Sequence, residues 1–236
     1  MKTILNFLFL LLFLLNQLHA QWSVQGDRIK TQWAETINVE NVLPGYPRPL
    51  MERSEWMNLN GLWNYAIRPL GENEPGNYDG KILVPFAIES SLSGVMKELG
   101  SQNELWYQQN IVIPSAWKNK NILLHFGAVD WKCDVFLNDI KIGSHTGGYT
   151  AFSIDITPYL HEGKQKLVIR VWDGTDEGYQ PHGKQVSKPN SIWYTAVSGI
   201  WQTVWLEPVN SKYITNVKTT SNIDRQSLHV EVETEK

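Results

Sequence analysis

Residues 171–205, VWDGTDEGYQPHGKQVSKPNSIWYTAVSGIWQTVW, combine two apolar, strand-like ends with a long polar middle. Tryptophans recur through the stretch, at Trp172, Trp193, Trp201 and Trp205. The apolar C–H faces of a pyranose ring pack flat on indole rings, while Asp, Asn, Gln and Lys side chains bind the surrounding hydroxyl groups. The stretch therefore predicts two β-strands joined by a loop whose composition suits a sugar.

Strand-like runs separated by turn-forming residues make up most of the chain around this stretch. The nine runs cover residues 61–68, 81–85, 105–113, 121–127, 133–137, 141–144, 151–156, 166–172 and 199–206. Asn138-Asp139, between two of them, predicts a β-hairpin. One short helix is expected, near residues 155–161 or 90–99, although neither segment has an apolar stripe. Because no crossover helices separate the strands, we predict an all-β fold, an antiparallel jelly-roll β-sandwich.

The first twenty residues have the composition of a secretory signal peptide. Lys2 precedes an apolar run over residues 4–15, and Ala20 suits the position before a cleavage point. A membrane span is the weaker interpretation, because the run is shorter than the roughly 20 residues that a span needs. We therefore expect residues 1–20 to be removed and the protein to be secreted or periplasmic. Cys133 is the sole cysteine, so no intrachain disulfide can form.

Changes in composition divide the remainder of the chain into three parts. Residues 21–40 are polar and lack a clear period, and residues 43–49 contain three prolines, which remove backbone donors and exclude a helix or a central strand. Residues 21–44 are therefore expected to form an extended N-terminal arm. Residues 45–210 would form the sandwich. Residues 211–236 contain two further strand-like runs, which cannot bury a core alone and are expected to begin a second, truncated sandwich domain.

Overall charge excludes two classes of partner. The net charge is −3, and acidic and basic residues are interspersed along the chain. Neither binding to nucleic acid nor binding to an anionic membrane surface is therefore expected.

Several short motifs occur in one order and together carry a family resemblance. The motifs are Asn58-Leu59-Asn60-Gly61-Leu62-Trp63, Val84-Pro85-Phe86, Leu105-Trp106-Tyr107, His125-Phe126-Gly127-Ala128-Val129-Asp130, Val135-Phe136-Leu137-Asn138, His145-Thr146-Gly147-Gly148-Tyr149, Val171-Trp172-Asp173 and Ser198-Gly199-Ile200-Trp201-Gln202. Residues 45–210 thereby resemble the N-terminal sugar-binding domain of glycoside hydrolase family 2, which includes β-galactosidases, β-glucuronidases and β-mannosidases. The resemblance implies a galactose-binding-domain-like jelly roll, an immunoglobulin-like domain that begins at 211–236, and then a (β/α)₈ barrel.

The resemblance places both catalytic glutamates on the barrel, outside this chain. Retaining glycosidases need two carboxyl groups about 5 Å apart across the scissile bond. Asn103-Glu104 is similar to the family's acid/base dipeptide, but it directly precedes a strand-like run, and we interpret it as a turn. No catalytic residue is therefore assigned, and the chain alone is expected to be inactive.

Asp173 is the first candidate for a sugar contact. It ends an apolar strand and matches the family position whose aspartate reaches toward the terminal sugar, and a carboxylate can accept two hydroxyl hydrogen bonds. The alternative is that Asp173 caps a turn at Gly174. The sequence leaves both open.

Four further residues complete the candidate substrate-binding set. Lys184, Trp193 and Tyr194 lie on the long loop after Asp173, where the two aromatic rings would form a stacking wall. The alternative is a loop clamped by its own aromatics or buried against the barrel. Glu89 follows a strand end in the same way, with solvent exposure as the favoured alternative.

Metal and cofactor chemistry have no sequence support. The six histidines show no clustered spacing with Asp or Cys, and no Gly-rich phosphate loop or nucleophile elbow occurs. We therefore expect no metal and no cofactor.

The sequence as a whole predicts the N-terminal sugar-binding portion of a secreted, β-galactosidase-like family 2 enzyme. Its partners would be a β-linked glycan and the catalytic barrel, with no membrane span after signal cleavage. A stand-alone carbohydrate-binding module is the alternative, and a hydrolase that uses Asp173 with Glu89 or Asp176 is a weaker third. Trp172→Ala is expected to cost about 3–5 kcal/mol if that indole lies in the core, and Asp173→Ala almost nothing.

Overall fold

A computed structural model of the protein describes residues 22–26 and 29–235. The predicted signal peptide, residues 1–20, lies outside the described residues. Within the described part of the chain, no helix is long and apolar enough to cross a membrane.

Strands dominate the described residues, and the helical segments are all short 3-10 turns. The strands are β1 (Met57–Asn58), β2 (Gly61–Pro69), β3 (Gly80–Val84), β4 (Asn103–Val112), β5 (Asn121–Phe126), β6 (Val129–Asp130), β7 (Lys132–Leu137), β8 (Ile140–Thr146), β9 (Phe152–Asp155), β10 (Lys164–Trp172), β11 (Gly199–Ile200), β12 (Val204–Val209), β13 (Ile214–Asn222) and β14 (Ser227–Thr234). The 3-10 turns are Gln32–Thr36, Pro49–Met51, Ser91–Ser93, Ser115–Trp117 and Thr157–Tyr159. The one short helix that was expected is not formed: each of its two alternative positions contains a 3-10 turn, since neither has an apolar face that packing could stabilise.

Two antiparallel sheets form a β-sandwich, which confirms the predicted fold class. One sheet has four strands in the order β1-β12-β5-β9, and the other has six in the order β3-β2-β4-β10-β7-β8. Short strands β6 and β11 pair beside them. The predicted hairpin joins β7 to β8 through Asn138 and Asp139, whose φ angles of 52° and 68° suit a type I′ turn.

The core lies between the two sheets and is built from alternate strand residues. Trp63, Tyr107 and Phe126 are among its largest fully buried side chains, and Trp63 Nε1 donates to the Leu59 carbonyl at 2.8 Å. Trp172 is half-buried, because it lies on the outer face of the six-stranded sheet. The condition for a core-sized cost of Trp172→Ala is therefore not met.

The N-terminal arm is tied to the sandwich by hydrogen bonds. Asn58 and Asn60 donate from their side chains to the Val42 carbonyl, and Val42 is only 2 % exposed. The proline-rich stretch ends in the 3-10 turn Pro49–Met51, with proline in the first turn, where its missing N–H costs nothing.

Strands β13 and β14 form a hairpin that leaves most of its side chains exposed. Arg53 Nη2 donates to the Ile214 carbonyl at 2.6 Å and so links the hairpin to the segment that precedes β1. The assignment of residues 211–236 to a second domain stays a prediction.

Candidate functional site

Three buried carboxylates meet at one end of the sandwich, and we call them the carboxylate cluster: Glu89, Asp130 and Asp173. Glu89 follows β3, Asp130 ends β6 and Asp173 follows β10, and their exposures are 5 %, 4 % and 2 %. Ser198 joins two of them, because its backbone N–H donates to Glu89 Oε2 at 2.9 Å and its hydroxyl donates to Asp173 Oδ2 at 2.7 Å. The segment before β11 therefore covers the cluster.

Asp173 uses both carboxylate oxygens within the chain. Oδ1 accepts the Thr175 N–H at 2.7 Å, and Oδ2 accepts the Ser198 hydroxyl. These contacts are those of a turn-capping aspartate, which was one of the two alternatives. A sugar contact by Asp173 stays a prediction, and in this arrangement it would require one of these hydrogen bonds to be exchanged.

Burial and mutual repulsion keep the cluster from carrying three full negative charges at neutral pH. Burial raises the pKa of Glu89 to about 7, and the charge of Asp173 adds to the shift. Burial and Asp173 likewise raise the pKa of Asp130 to about 7, and burial raises the pKa of Asp173 itself. Glu89 Oε1 is buried and has no hydrogen-bond partner among the described residues. The expected solvent exposure of Glu89 was wrong, because the chain at Ser198 folds over it.

Gln185 connects the cluster to the surface loop. Its side-chain amide lies 3.4 Å from Asp130 Oδ2 and 3.2 Å from the Tyr149 hydroxyl, and its Oε1 accepts the Val197 N–H at 2.6 Å. A Cβ atom at Gly148 would overlap the Asp130 carboxylate, so glycine is required there for the close approach of the chain.

Lys184, Trp193 and Tyr194 come together at the tip of the loop, apart from the buried carboxylates. The Tyr194 N–H donates to the Lys184 carbonyl at 2.9 Å, and the Val186 N–H donates to the Tyr194 carbonyl at 3.0 Å. Trp193 is 41 % exposed and Tyr194 is 66 % exposed. The backbone thus fixes the loop tip while the aromatic side chains remain accessible.

Three residues of the site were not predicted from the sequence: Asp130, Ser198 and Tyr149. Each occurs in one of the motifs that carry the family resemblance, but the motif alone assigned it no role in a site. The paired Gly147-Gly148 was the available signal, since it indicated close chain approach at this position. What it could not indicate was the carboxylate that the chain approaches.

Two further features bear on the chemistry that the chain could perform. Within residues 22–26 and 29–235, no group of three or more His, Cys, Asp or Glu side chains could hold a metal ion. Asn103-Glu104 is not the turn expected from the sequence but the beginning of β4, and Glu104 accepts the Gly71 N–H at 3.2 Å on the outer face of the six-stranded sheet. It therefore has no place in the carboxylate cluster.

Comparison with known proteins identifies relatives of the sandwich. The family model described as "Glycosyl hydrolases family 2, sugar binding domain" matches residues 83–209. The chain is 34 % identical over 180 residues to a putative β-glucuronidase of Formosa agariphila, covering 75 % of this chain and 21 % of that protein. It is 26 % identical over 167 residues to a β-galactosidase of Thermoanaerobacter pseudethanolicus, covering 68 % and 22 %.

Solved structures share the fold. A β-glucuronidase of Lactobacillus rhamnosus superimposes with a TM-score of 0.62 at 22 % identity, covering 80 % of this chain and 35 % of that one. The chain thus spans about a fifth of the length of the two sequence relatives and about a third of the solved chain.

Proposed function

Since the chain belongs to glycoside hydrolase family 2, we propose that it holds the terminal sugar of a β-linked glycan for the catalytic domain of a β-galactosidase-like or β-glucuronidase-like enzyme. The loop over residues 173–198 would form one wall of the sugar pocket. The names of the relatives support these two substrate classes.

One observation carries the proposal: the part of the loop nearest the sandwich is buried and hydrogen-bonded, whereas the tip of the loop exposes aromatic side chains. Hydrogen bonds of Asp173, Ser198 and Gln185 fix the buried part. Trp193 and Tyr194 present accessible rings. A pre-positioned aromatic wall is what sugar stacking requires, because ordering the loop then costs little on binding.

Positioning, rather than bond cleavage, is the chemistry we propose for the chain. Hydrolysis with retention needs two carboxyl groups facing the substrate. Glu89 and Asp173 lie under the chain at 5 % and 2 % exposure, and both oxygens of Asp173 accept hydrogen bonds from protein groups. A positioning wall lowers the barrier for another domain by orienting the glycosidic bond.

Purified chain, residues 21–236, tests the proposal by two measurements. Incubation with 4-nitrophenyl β-galactoside and β-glucuronide is expected to release no nitrophenol above the buffer blank. Titration with methyl β-galactoside and methyl β-glucuronide, followed by tryptophan fluorescence, is expected to quench emission. Hydrolysis that disappears in Asp173→Asn or Glu89→Gln would contradict the proposal.

Matched tryptophan variants locate the binding. Trp193→Ala is expected to abolish the quenching, whereas Trp33→Ala, which removes a 68 % exposed indole on the N-terminal arm, should preserve it. Binding that survives in Trp193→Ala would remove the loop tip from the proposal. If the chain alone binds the sugar as tightly as the full-length enzyme does, the alternative of a stand-alone module would be favoured.

Export is the final part of the proposal. The apolar run at residues 4–15 and Ala20 support cleavage after residue 20. N-terminal sequencing of protein recovered outside the cytoplasm should begin at Gln21. Recovery of protein that begins at Met1 in the cytoplasm would contradict export.

A further inference from the structure

A second polar cleft lies on the outer face of the six-stranded sheet. We call it the sheet-face cleft, and its principal lining side chains are Glu104, Lys132, Asp134, Lys141, Arg170 and Trp172. Its volume is about 640 Å³, which falls within the range of small-molecule sites. None of these residues belongs to the carboxylate cluster or to the loop tip.

Strand register explains why these side chains share one face. Trp172 of β10 lies opposite Lys132 of β7, and Arg170 lies opposite Asp134. Alternate residues of a strand point to the same side of a sheet, so the two pairs form adjacent rows. The cleft is therefore built by four paired strands and does not depend on a loop.

Ion pairs fix the polar groups of the cleft. Asp134 is 7 % exposed and accepts Lys141 Nζ at 2.7 Å and the Arg170 guanidinium. Arg170 Nε also lies 3.6 Å from Glu104 Oε1, and its guanidinium carbon lies 5.6 Å from the centre of the Trp106 ring beneath it. Carboxylate and guanidinium groups held in this way can bind sugar hydroxyls with little loss of side-chain entropy.

Trp172 supplies the apolar surface of the cleft. Its Nε1 donates to the Ser101 carbonyl at 2.8 Å, which fixes the indole orientation, and the side chain is only half-buried. A fixed, accessible indole beside charged groups is an arrangement suited to a pyranose ring, which packs its C–H face on the indole.

The charges of the cleft select the class of saccharide. Three cations, Lys132, Lys141 and Arg170, face two carboxylates. Lys132 is exposed and forms no ion pair within the described part of the chain. We propose that the sheet-face cleft is a second saccharide site, which binds an acidic oligosaccharide with a sugar ring on Trp172 and a carboxylate on Lys132.

The test uses ¹⁵N-labelled chain, residues 21–236, and a tetrasaccharide of alternating glucuronic acid and N-acetylglucosamine. Titration is expected to shift the indole Nε1–H resonance of Trp172. This resonance is assigned by its absence from the spectrum of Trp172→Phe. Lys132→Glu should weaken binding by about fivefold or more, the effect of one exposed ion pair, and Lys132→Gln should weaken it less. Lys118→Glu makes the same charge change outside the cleft and should leave binding unchanged.

Each remaining outcome overturns the proposal. If a neutral chitin tetrasaccharide binds as tightly as the acidic one, the charge selection is wrong. If the titration shifts Trp193 alone, the saccharide binds at the loop tip and not on the sheet. If no indole resonance shifts in the wild-type chain, the cleft is not a saccharide site.

Discussion

Two buried glutamates of this sandwich have opposite surroundings. Glu207, on β12, is 0 % exposed and accepts contacts from Arg48 Nη2 at 2.6 Å, Arg53 Nη1 at 2.5 Å and the Tyr46 hydroxyl at 2.5 Å, with Trp205 Nε1 at 2.8 Å. Glu89 is 5 % exposed and accepts one N–H, from Ser198, while its Oε1 has no partner among the described residues.

The difference appears in the pKa of each group. Burial opposes ionisation of Glu207, but the groups around it, first His125, whose Nε2 lies 3.3 Å from Oε2, and then the Tyr46 hydroxyl, outweigh burial and hold its pKa well below the ordinary 4.5. Burial raises the pKa of Glu89 to about 7, with Asp173 adding to the shift. Glu207 thus has hydrogen-bond partners on both oxygens and joins residues 46–53 to the sheet, whereas Glu89, at the candidate site, has one oxygen without a partner among the described residues. Incomplete satisfaction of buried polar groups is commoner where function, rather than stability, constrains the residues.

Removal of the Glu207 charge should have the largest effect on stability. Glu207→Gln leaves two arginines without their carboxylate and turns an amide N–H₂ toward other donors. The expected loss is about 3–5 kcal/mol in the free energy of unfolding, measured by urea denaturation at pH 7. Because the folded-state pKa is lowered, the contribution of Glu207 is present above pH 4.5 and is lost as pH falls.

Glu231→Gln is the matched control, since Glu231 pairs with Lys218 on the exposed hairpin. It should change the free energy of unfolding by less than about 1 kcal/mol. Equal losses in the two variants would show that the Glu207 contacts are no stronger than a surface ion pair.

Glu89 should make stability depend on pH in the opposite direction. Its folded-state pKa of about 7 lies above the ordinary 4.5, so its contribution is fully present below pH 4.5 and is lost as pH rises through 7. The full loss corresponds to about 3 kcal/mol. In Glu89→Gln, which keeps an acceptor for the Ser198 N–H, this part of the pH dependence should disappear.

Urea denaturation of wild type and Glu89→Gln at pH 5 and pH 8 checks the sign. Asp130→Asn is the companion variant, because Asp130 faces the same Asp173 and its pKa is also raised to about 7. If the wild type is destabilised from pH 5 to pH 8 no more than Glu89→Gln, the carboxyl is ionised in the folded state without cost.

The fold could be predicted from local pattern because each strand carries its own signal. Alternation located eight of the runs close to their observed bounds, and Asn138-Asp139 located the hairpin. Two-residue strands β1 and β6 were missed, since two residues are too few to show a period. Residues 199–206 were expected as one strand but form β11 and β12, with three intervening residues.

The site was less predictable because it depends on contacts between distant segments. Ser198 lies 109 residues from Glu89 and 25 from Asp173, and no local pattern reports that pairing. The sequence left open whether Trp172, at the end of an apolar strand, lies in the core, and strand parity puts it on the outer face, beside Lys132. The alternation of side chains along β10 therefore indicated the position of Trp172 more reliably than the hydrophobicity of the residue did.

Asp173→Ala and Trp172→Ala should have similar, intermediate effects, in contrast to the expectation from sequence. Asp173→Ala leaves the Thr175 N–H and the Ser198 hydroxyl without acceptors, which costs about 1–3 kcal/mol. Trp172→Ala removes a half-buried indole and should cost about 2 kcal/mol, below the range for a core tryptophan. Thermal unfolding of both variants beside Trp63→Ala, a fully buried reference, makes the comparison.

Trp193→Ala should have the smallest effect on stability of these substitutions. The indole is 41 % exposed, and the contacts that fix the loop tip are backbone hydrogen bonds, such as that from Trp193 N–H to the Asn190 carbonyl at 3.0 Å. Because alanine keeps these bonds, the free energy of unfolding should fall by less than about 0.5 kcal/mol. A loss as large as that of Trp172→Ala would mean that the indole clamps its own loop, and the exposed aromatic wall would then be structural.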